Sequence, residues 1–238
     1  MSAPKRFFVR NIGEEVVLSG EEFRHAKNVL RLSEGAEVVL FDGSGAEYAA
    51  VITKIGKAEM LLHTVKKGVS ERDPRADIYL LVGALKGDKT ELVVQKATEL
   101  GVNKIGVFHS QYCSAYMNEN KFARLNRVAA EASKQCLRAT VPELIYFDSF
   151  QRAIASAEGY GSKLFACEFI SESEVSLSGI GNSVALVVGS EGGFTREEFE
   201  YARKEGFRGV TLGKRILRAE TAAIAFLSIA AYFAGELK

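Results

Sequence analysis

The chain of 238 residues is long enough for one large domain or two smaller ones. Its hydrophobic content of 47% and charged content of 26% are typical of a globular protein with a core. No apolar run approaches 18 residues, and the N-terminal MSAPKRFFVRNIGEE reaches acidic residues before any apolar region, so we expect no membrane span and no signal peptide. The few cysteines fit a reducing cytoplasm. Three cysteines without CxxC spacing and only three histidines indicate neither a disulfide framework nor a metal centre.

The net charge of +1 indicates no partner by itself, but the basic residues are unevenly distributed. Residues 121–138 hold five basic residues against one acidic residue, and residues 203–218 hold six against one. Basic faces of this kind can bind a phosphate backbone. The alternative for either stretch is a solvated helix face.

Residues 1–68 are typical of a small β-rich module. The segments EEVVLS (14–19) and AEVVLFDGSGAEYAAVITKI (36–55) are rich in β-branched residues, and the turn at 42–45 predicts a hairpin in the second. Between them, SGEEFRHAKNVLRL predicts a short helix, with Ser19 as its cap and Phe23, Ala26, Val29 and Leu30 on one face. The polar segment 66–77 is the best candidate for a linker.

From residue 78 onward, apolar strand-like runs alternate with amphipathic helical segments. The predicted strands are IYLLVGAL, KIGVFH, KLFACEF, SVALVVG and GVTLG, and the predicted helices are DKTELVVQKATEL, KFARLNRVAAEASKQCLRA, TREEFEYARKEG and AETAAIAFLSIAAYFAG. This alternation predicts a mostly parallel α/β sheet.

The loop GSEGGF (189–194) follows an apolar strand and precedes a helix that we expect to begin at Thr195, since Thr195 and Glu198 have the spacing of a capping box. It matches neither the Walker A nor the GxGxxG pattern, and Glu191 would repel a pyrophosphate. A backbone cradle with a carboxylate suits a neutral or cationic ligand such as S-adenosylmethionine (SAM). The alternative is a tight turn that needs glycine only for its conformation.

The segment LGKRILRAETAAIAF (212–226) begins where another strand ends and leads into a helix rich in alanine. Ile216 and Leu217 lie among basic residues, where apolar side chains could sandwich a flat ring such as adenine. The alternative is a docked loop with solvated charges. Small residues at 222, 223 and 225 allow close backbone approach, as at a helix–helix interface or a threaded chain.

Taken together, these segments resemble the RsmE family, the 16S ribosomal RNA uracil-N3 methyltransferases of the SPOUT superfamily. The resemblance covers nearly the whole chain, through RFFV, HAKNVLRLSEGAEVVLFDGSG, KATELGV, EASKQCLR, VGSEGGF and LGKRILRAETA in order. Two positions depart from the family pattern: Ser190 replaces the usual proline, and Lys134 replaces a common acidic residue before the glutamine.

The resemblance implies an α/β fold: a PUA-like β-barrel RNA-binding domain over residues 1–70, then a SPOUT methyltransferase domain over 71–238 with a deep trefoil knot that binds SAM and forms a homodimer. The implied reaction is methyl transfer from SAM, without a metal, to N3 of a uridine in 16S ribosomal RNA. The predicted cofactor residues are Gly189, Glu191, Gly192, Leu212, Gly213, Ile216 and Leu217.

The predicted catalytic residues are Arg218, whose fixed charge would favour the deprotonated base, and Glu220 as a base. For Glu220, a carboxylate that merely favours the start of a helix is an equal alternative. The predicted phosphate contacts are Arg6, Arg24, Arg31, Lys134 and Arg138. The competing functional hypotheses are a non-catalytic RNA-binding or ribosome-assembly protein and a small-molecule enzyme that uses a nucleotide.

Overall fold

A computed structural model describes residues 5–168 and 179–237. The chain divides into two compact units: Met1–Asp73 with Ser133–Val141, and Pro74–Ala132 with Pro142–Lys238. No helix in the described ranges combines the length and apolar character needed to cross a membrane.

The first unit is built on a five-stranded mixed sheet with the strand order β1-β3-β4-β5-β2. Its elements are β1 (Lys5–Phe8), β2 (Glu15–Ser19), α1 (Gly20–Arg24), a π-helical turn (His25–Val29), β3 (Glu37–Phe41), β4 (Ala46–Ile55) and β5 (Glu59–Val69). Strands β3 and β4 form the predicted antiparallel hairpin across the turn at 42–45. Alternate residues of these strands, with Phe23 and Ala26, form one buried core.

Three details of this unit differ from the prediction. The helix after Ser19 is interrupted by the π-helical turn, which carries Val29 off the apolar face, so that its side chain is 70% exposed. Ser19 occupies the N-cap position, but its side chain makes no capping hydrogen bond. The segment 66–77 is more ordered than a linker, because β5 runs to Val69 and the Asp73 carboxylate accepts hydrogen bonds from the N–H groups of Ala139 and Thr140.

The second unit contains a six-stranded sheet in the order β11-β9-β10-β6-β7-β8, and every pairing in it is parallel. Its elements are β6 (Asp77–Gly83), α2 (Lys89–Glu99), β7 (Lys104–Phe108), α3 (Glu119–Cys136), β8 (Glu143–Phe147), α4 (Phe150–Ala155), β9 (Ser162–Ala166), β10 (Ser183–Val188), α5 (Arg196–Lys204), β11 (Arg208–Val210) and α6 (Ala219–Phe233). The last four residues of α3 belong to the first unit. The predicted parallel sheet is confirmed; Phe169, at the end of the predicted strand KLFACEF, lies outside the described residues.

A cluster of phenylalanines fills the space between the sheet and the helices α4 and α5. Phe194 is 7% exposed, and its ring centroid lies 4.3 Å from that of Phe165 and 5.6 Å from that of Phe150. Because Phe194 is the last residue of the sequence GSEGGF, its burial anchors that loop to the core. Thr195 and Glu198 then form the predicted capping box at the start of α5.

Gly83, at the end of β6, allows the chain after β10 to lie directly against the strand. A Cβ at this position would lie 2.5 Å from the backbone nitrogen of Ser190 and 3.0 Å from the carbonyl carbon of Gly189. Backbone atoms cannot rotate away as a flexible side chain can. The close approach of these two strand ends therefore requires glycine.

We expect Gly83→Ala to destabilise the protein by about 1–3 kcal/mol, since overpacking against backbone forces the two strand ends apart. Thermal unfolding would measure the effect. The control is Gly68→Ala in β5, where an added Cβ meets no atom within 4 Å and the melting temperature should hardly change. Equal melting temperatures for both variants would contradict this account.

Candidate active site

A cavity of about 670 Å³ opens in the second unit where three neighbouring parallel strands end. Its walls are formed by the residues that follow β9, β10 and β11, together with the first turn of α6. Ligands of open parallel sheets bind at the carboxyl ends of strands. We call residues Gly189–Phe194 the glycine loop and residues Leu212–Arg218 the basic loop.

The structure brings the predicted cofactor residues together around this cavity. Gly189, Glu191, Gly192, Leu212, Gly213, Ile216 and Leu217 all line it, and so does Arg218. Glu220 is not among the lining residues, although its neighbours Ala219 and Ala222 are. The role of the seven predicted residues in cofactor binding stays a prediction. The two loops that carry them are about twenty residues apart in sequence, yet they line the same cavity.

The glycine loop is a tight turn in which the N–H of Gly193 donates to the carbonyl of Ser190 over 3.0 Å. Gly192 is required by packing, because a Cβ there would lie 2.6 Å from Tyr112 Cβ and 2.7 Å from the Tyr112 carbonyl oxygen. A side chain at position 192 would therefore displace the loop that contains Tyr112, in addition to filling part of the cavity. Ser190 is buried, and its hydroxyl has no partner among the described residues.

Lys89, in the first turn of α2, lines the cavity between two carboxylates. Its ammonium nitrogen lies 3.5 Å from an oxygen of Glu191 and 3.6 Å from an oxygen of Glu220. The sequence analysis missed Lys89, since more than a hundred residues separate it from both partners. The one available signal was its place just after a buried strand.

The electrostatic surroundings of Glu191 favour its ionised form. Burial by itself would raise the pKa, but the backbone N–H groups of Glu191 and Lys86 and the charge of Lys89 outweigh it and hold the pKa of Glu191 below its usual value. The Lys86 N–H donates to the carboxylate over 3.0 Å. The second carboxylate oxygen of Glu220 is buried and has no partner within the described ranges.

The basic loop presents both apolar and cationic groups. Ile216 lines the cavity but is 90% exposed, so the core does not hold its side chain. Arg218 occupies the N-cap position of α6, and its guanidinium makes no ion pair or hydrogen bond with any described residue. These side chains are available to a ligand.

The five predicted phosphate contacts differ in exposure and in the bonds that they make. Arg24 and Arg31 are exposed. The side chain of Arg6 is 6% exposed, donates to Glu47 and to the carbonyl of Arg138, and lies over the ring of Phe41. Arg138 is 3% exposed, and Lys134 donates to Glu22 over 2.7 Å.

Arg6, Lys134 and Arg138 thus hold residues 133–141 within the first unit. Contact of their charged groups with phosphate would compete with these bonds. As for metals, the described residues contain no group of three or more His, Cys, Asp or Glu side chains placed to hold an ion.

Family models match both parts of the chain. Residues 71–231 match the RNA methyltransferase domain, and residues 18–63 match the RNA methyltransferase PUA domain. The fold and the site therefore define an RNA methyltransferase with a PUA domain.

Curated relatives narrow the assignment. Ribosomal RNA small subunit methyltransferase E of Bacillus subtilis is 31% identical over 90% of this chain and 89% of its own, and that of Rickettsia conorii is 32% identical over 87% and 84%. The chain belongs to the ribosomal RNA small subunit methyltransferase E family.

Solved structures agree with this assignment. The chain superposes on ribosomal RNA small subunit methyltransferase E from Neisseria gonorrhoeae bound to SAM, with a TM-score of 0.90, 28% identity and coverage of 99% and 100% of the two chains. A methyltransferase from Legionella pneumophila in complex with SAM gives a TM-score of 0.87 at 29% identity, with coverage of 97% and 98%. The predicted fold class is confirmed; the knot stays a prediction.

We expect the ionised Glu191 to stabilise the ligand-free protein in a pH-dependent way. Because the pKa of Glu191 is lowered on folding, its contribution is present above the unfolded value near 4.5 and is lost as the pH falls through the folded-state pKa. Glu191→Gln should therefore melt at a lower temperature than the unmodified protein at pH 7, and the difference should shrink as the pH falls below about 4.5 and disappear below the folded-state pKa. Glu158→Gln, at an exposed position, is the control. A difference that grows on acidification would show that the carboxylate is not held in its ionised form.

Proposed function

We propose that the protein transfers the methyl group of SAM to N3 of a uridine in the 16S ribosomal RNA of the small subunit. The observation that carries the proposal is the cavity shared by the glycine loop and the basic loop, which has a carboxylate but no phosphate-binding motif. Two structures that share the fold over nearly their whole length contain SAM. The site of modification follows from the resemblance of LGKRILRAETA and VGSEGGF to the RsmE family.

The chemistry of the cavity fits this cofactor. SAM supplies an electrophilic methyl group on a sulfonium and also carries an ammonium and a carboxylate. Gly189, Glu191 and Gly192 of one loop, with Leu212, Gly213, Ile216 and Leu217 of the other, would hold it. The unpartnered hydroxyl of Ser190 is a further polar group that a ligand could satisfy. Lys89 leaves the pair of carboxylates with one net negative charge, which favours the cationic groups of SAM on that side of the cavity, whereas the basic loop lines another part of it.

Methylation at N3 requires the loss of a proton, because neutral uracil carries a hydrogen on that nitrogen. We assign Arg218 to stabilise the uridine anion, since its guanidinium keeps its charge and has no partner among the described residues. Glu220 is the proposed base, with its carboxylate held by Lys89. The alternative role of Glu220, that of favouring the start of α6 through the helix dipole, would leave the reaction to Arg218 alone.

In the first unit, we propose that the exposed Arg24 and Arg31 contact the RNA. The proposed partner is 16S ribosomal RNA in the small subunit, encountered in the cytoplasm. A deep trefoil knot in the second unit is also proposed, on the basis of the family resemblance.

SAM binding distinguishes the proposed enzyme from a non-catalytic RNA-binding protein. Ala222→Phe would fill the floor of the cavity from α6, and we expect it to weaken SAM binding at least tenfold, which is about 1.4 kcal/mol. Thr221→Phe, on the exposed face of the same helix turn, is the matched control and should bind SAM normally. Calorimetry that gives equal affinity for both variants would place the cofactor elsewhere.

Arg218→Ala tests the catalytic assignment. We expect a folded protein that binds SAM normally but transfers the methyl group at least tenfold more slowly in a single turnover, which corresponds to about 1.4 kcal/mol in the barrier. Arg208→Ala removes an exposed arginine from β11 outside the cavity and should leave the rate unchanged. An undiminished rate for Arg218→Ala would remove Arg218 from the mechanism.

We also propose a homodimer in which α6 contributes to the interface. This helix carries apolar residues on almost all sides, and Tyr232 and Phe233 remain 54% and 45% exposed. Light scattering should give about twice the chain mass of 26.0 kDa, and Ile229→Asp should produce monomers or insoluble protein. An active, monodisperse monomer would overturn the proposal.

A further inference from the structure

The loop that follows β7 lies at the same edge of the sheet as the cavity. We call residues His109–Asn118 the tyrosine loop, since Tyr112 and Tyr116 are its exposed large side chains. In the sheet β7 is separated from β10 only by β6, and all three strands are parallel. The tyrosine loop and the glycine loop therefore emerge from the same edge of the sheet.

Three contacts hold the tyrosine loop in place around Tyr112. The N–H of Gln111 donates to Glu198 over 2.9 Å, and the thiol of Cys113 donates to the carbonyl of Ala84 over 3.2 Å. Between these two contacts, the backbone of Tyr112 lies so close to Gly192 that only glycine fits there. The position of Tyr112 is thus set by α5, by the residue after β6 and by the glycine loop itself.

The ring of Tyr112 is nonetheless available to a ligand. The residue is 53% exposed. Among the described residues, the ring has no aromatic partner and the hydroxyl has no hydrogen bond. Tyr112 does not line the cavity, so a group on its ring would lie beside the cofactor volume and not inside it. The contacts above fix the backbone of Tyr112. Its ring, in contrast, makes no aromatic contact or hydrogen bond with the described part of the chain.

We infer that Tyr112 is the platform on which the unpaired target base of the RNA stacks. The inference rests on the proposed function, because N3 of uracil lies on the edge used for base pairing and can be methylated only when the base is unpaired. Enzymes that act on a base hold it outside the helical stack, often against aromatic side chains. The exposed Arg127, in α3, supplies positive charge for an adjoining phosphate. Lys121 and Arg124 are also exposed, but Lys121 donates to the carbonyl of Tyr116 and Arg124 pairs with Glu91.

The variants Tyr112→Ala and Tyr112→Phe separate stacking from structure. Alanine keeps the backbone and the Cβ that contact Gly192 and removes only the exposed ring. We expect Tyr112→Ala to lower kcat/KM for small-subunit RNA roughly 5- to 150-fold, mainly through KM, with unchanged SAM affinity. Tyr112→Phe keeps the ring and should retain most of the activity. Unchanged kinetics for Tyr112→Ala, or an equal loss of SAM affinity, would overturn the inference.

Fluorescence gives a second measurement that does not depend on methyl transfer. The chain contains no tryptophan, so Tyr112→Trp introduces a single indole at the proposed platform. Addition of an RNA that carries the target uridine in a single-stranded segment should quench its emission, since stacking on a base quenches indole fluorescence. The control is Glu158→Trp, at an exposed position between α4 and β9 and away from the strand ends that form the cavity, which should not respond.

The outcomes distinguish this inference from the proposed function. If the unmodified protein transfers no methyl group to uridine, the proposed function fails, and the fluorescence of the Tyr112→Trp variant still decides whether a base stacks there. If the unmodified protein is active but RNA quenches neither variant, or quenches both equally, Tyr112 is not the platform.

Discussion

The candidate site depends on the backbone contact between Gly83 and the glycine loop. This contact lets the chain leave β10 against the end of β6, and it leaves no room for a side chain. The loop then turns, and Phe194 enters the aromatic cluster of the core. Thr195 starts α5 directly afterwards, so that Glu198 can accept hydrogen bonds from both Thr195 and Gln111. The close approach at Gly83 therefore determines the positions of the glycine loop, of α5 after it and of the neighbouring tyrosine loop.

The same contact between the end of β6 and the glycine loop brings charged residues together beside the cavity. The end of β6 places Lys86 and Lys89 beside the glycine loop, where a backbone N–H and an ammonium meet Glu191. Lys89 also contacts Glu220 from α6. Elements from three parts of the chain thus share one ion-pair cluster, which ties the first turns of α2 and α6 to the glycine loop.

The features that the sequence predicted well are those determined by neighbouring residues. The parallel strands were visible as continuous apolar runs, the hairpin at 42–45 as a turn signal, and the start of α5 as a Thr195–Glu198 capping box. The seven predicted cofactor residues line one cavity because both of their loops follow strands of the same parallel sheet. The glycine loop by itself suggested SAM as one candidate ligand, and the family resemblance supplied the expected reaction and its RNA target.

The features that the sequence analysis missed depend on distant contacts. Lys89 lies in an ordinary amphipathic segment, and only the fold brings it to Glu191 and Glu220. Arg6 and Arg138 are residue types that commonly contact phosphate, yet the fold covers both side chains, and Arg6 donates to the carbonyl of Arg138. Helical periodicity also did not predict the π-helical turn at His25–Val29, in which Val29 is exposed.

The most direct test of the proposed function is to map the methyl group on the RNA. Small ribosomal subunits from a strain that lacks this protein would be incubated with the purified protein and isotope-labelled SAM, and the 16S ribosomal RNA would be digested and analysed by mass spectrometry. The proposed function predicts one labelled nucleotide, a uridine methylated at N3. Label on another atom or another RNA, or no label although SAM binds in the cavity, would contradict it.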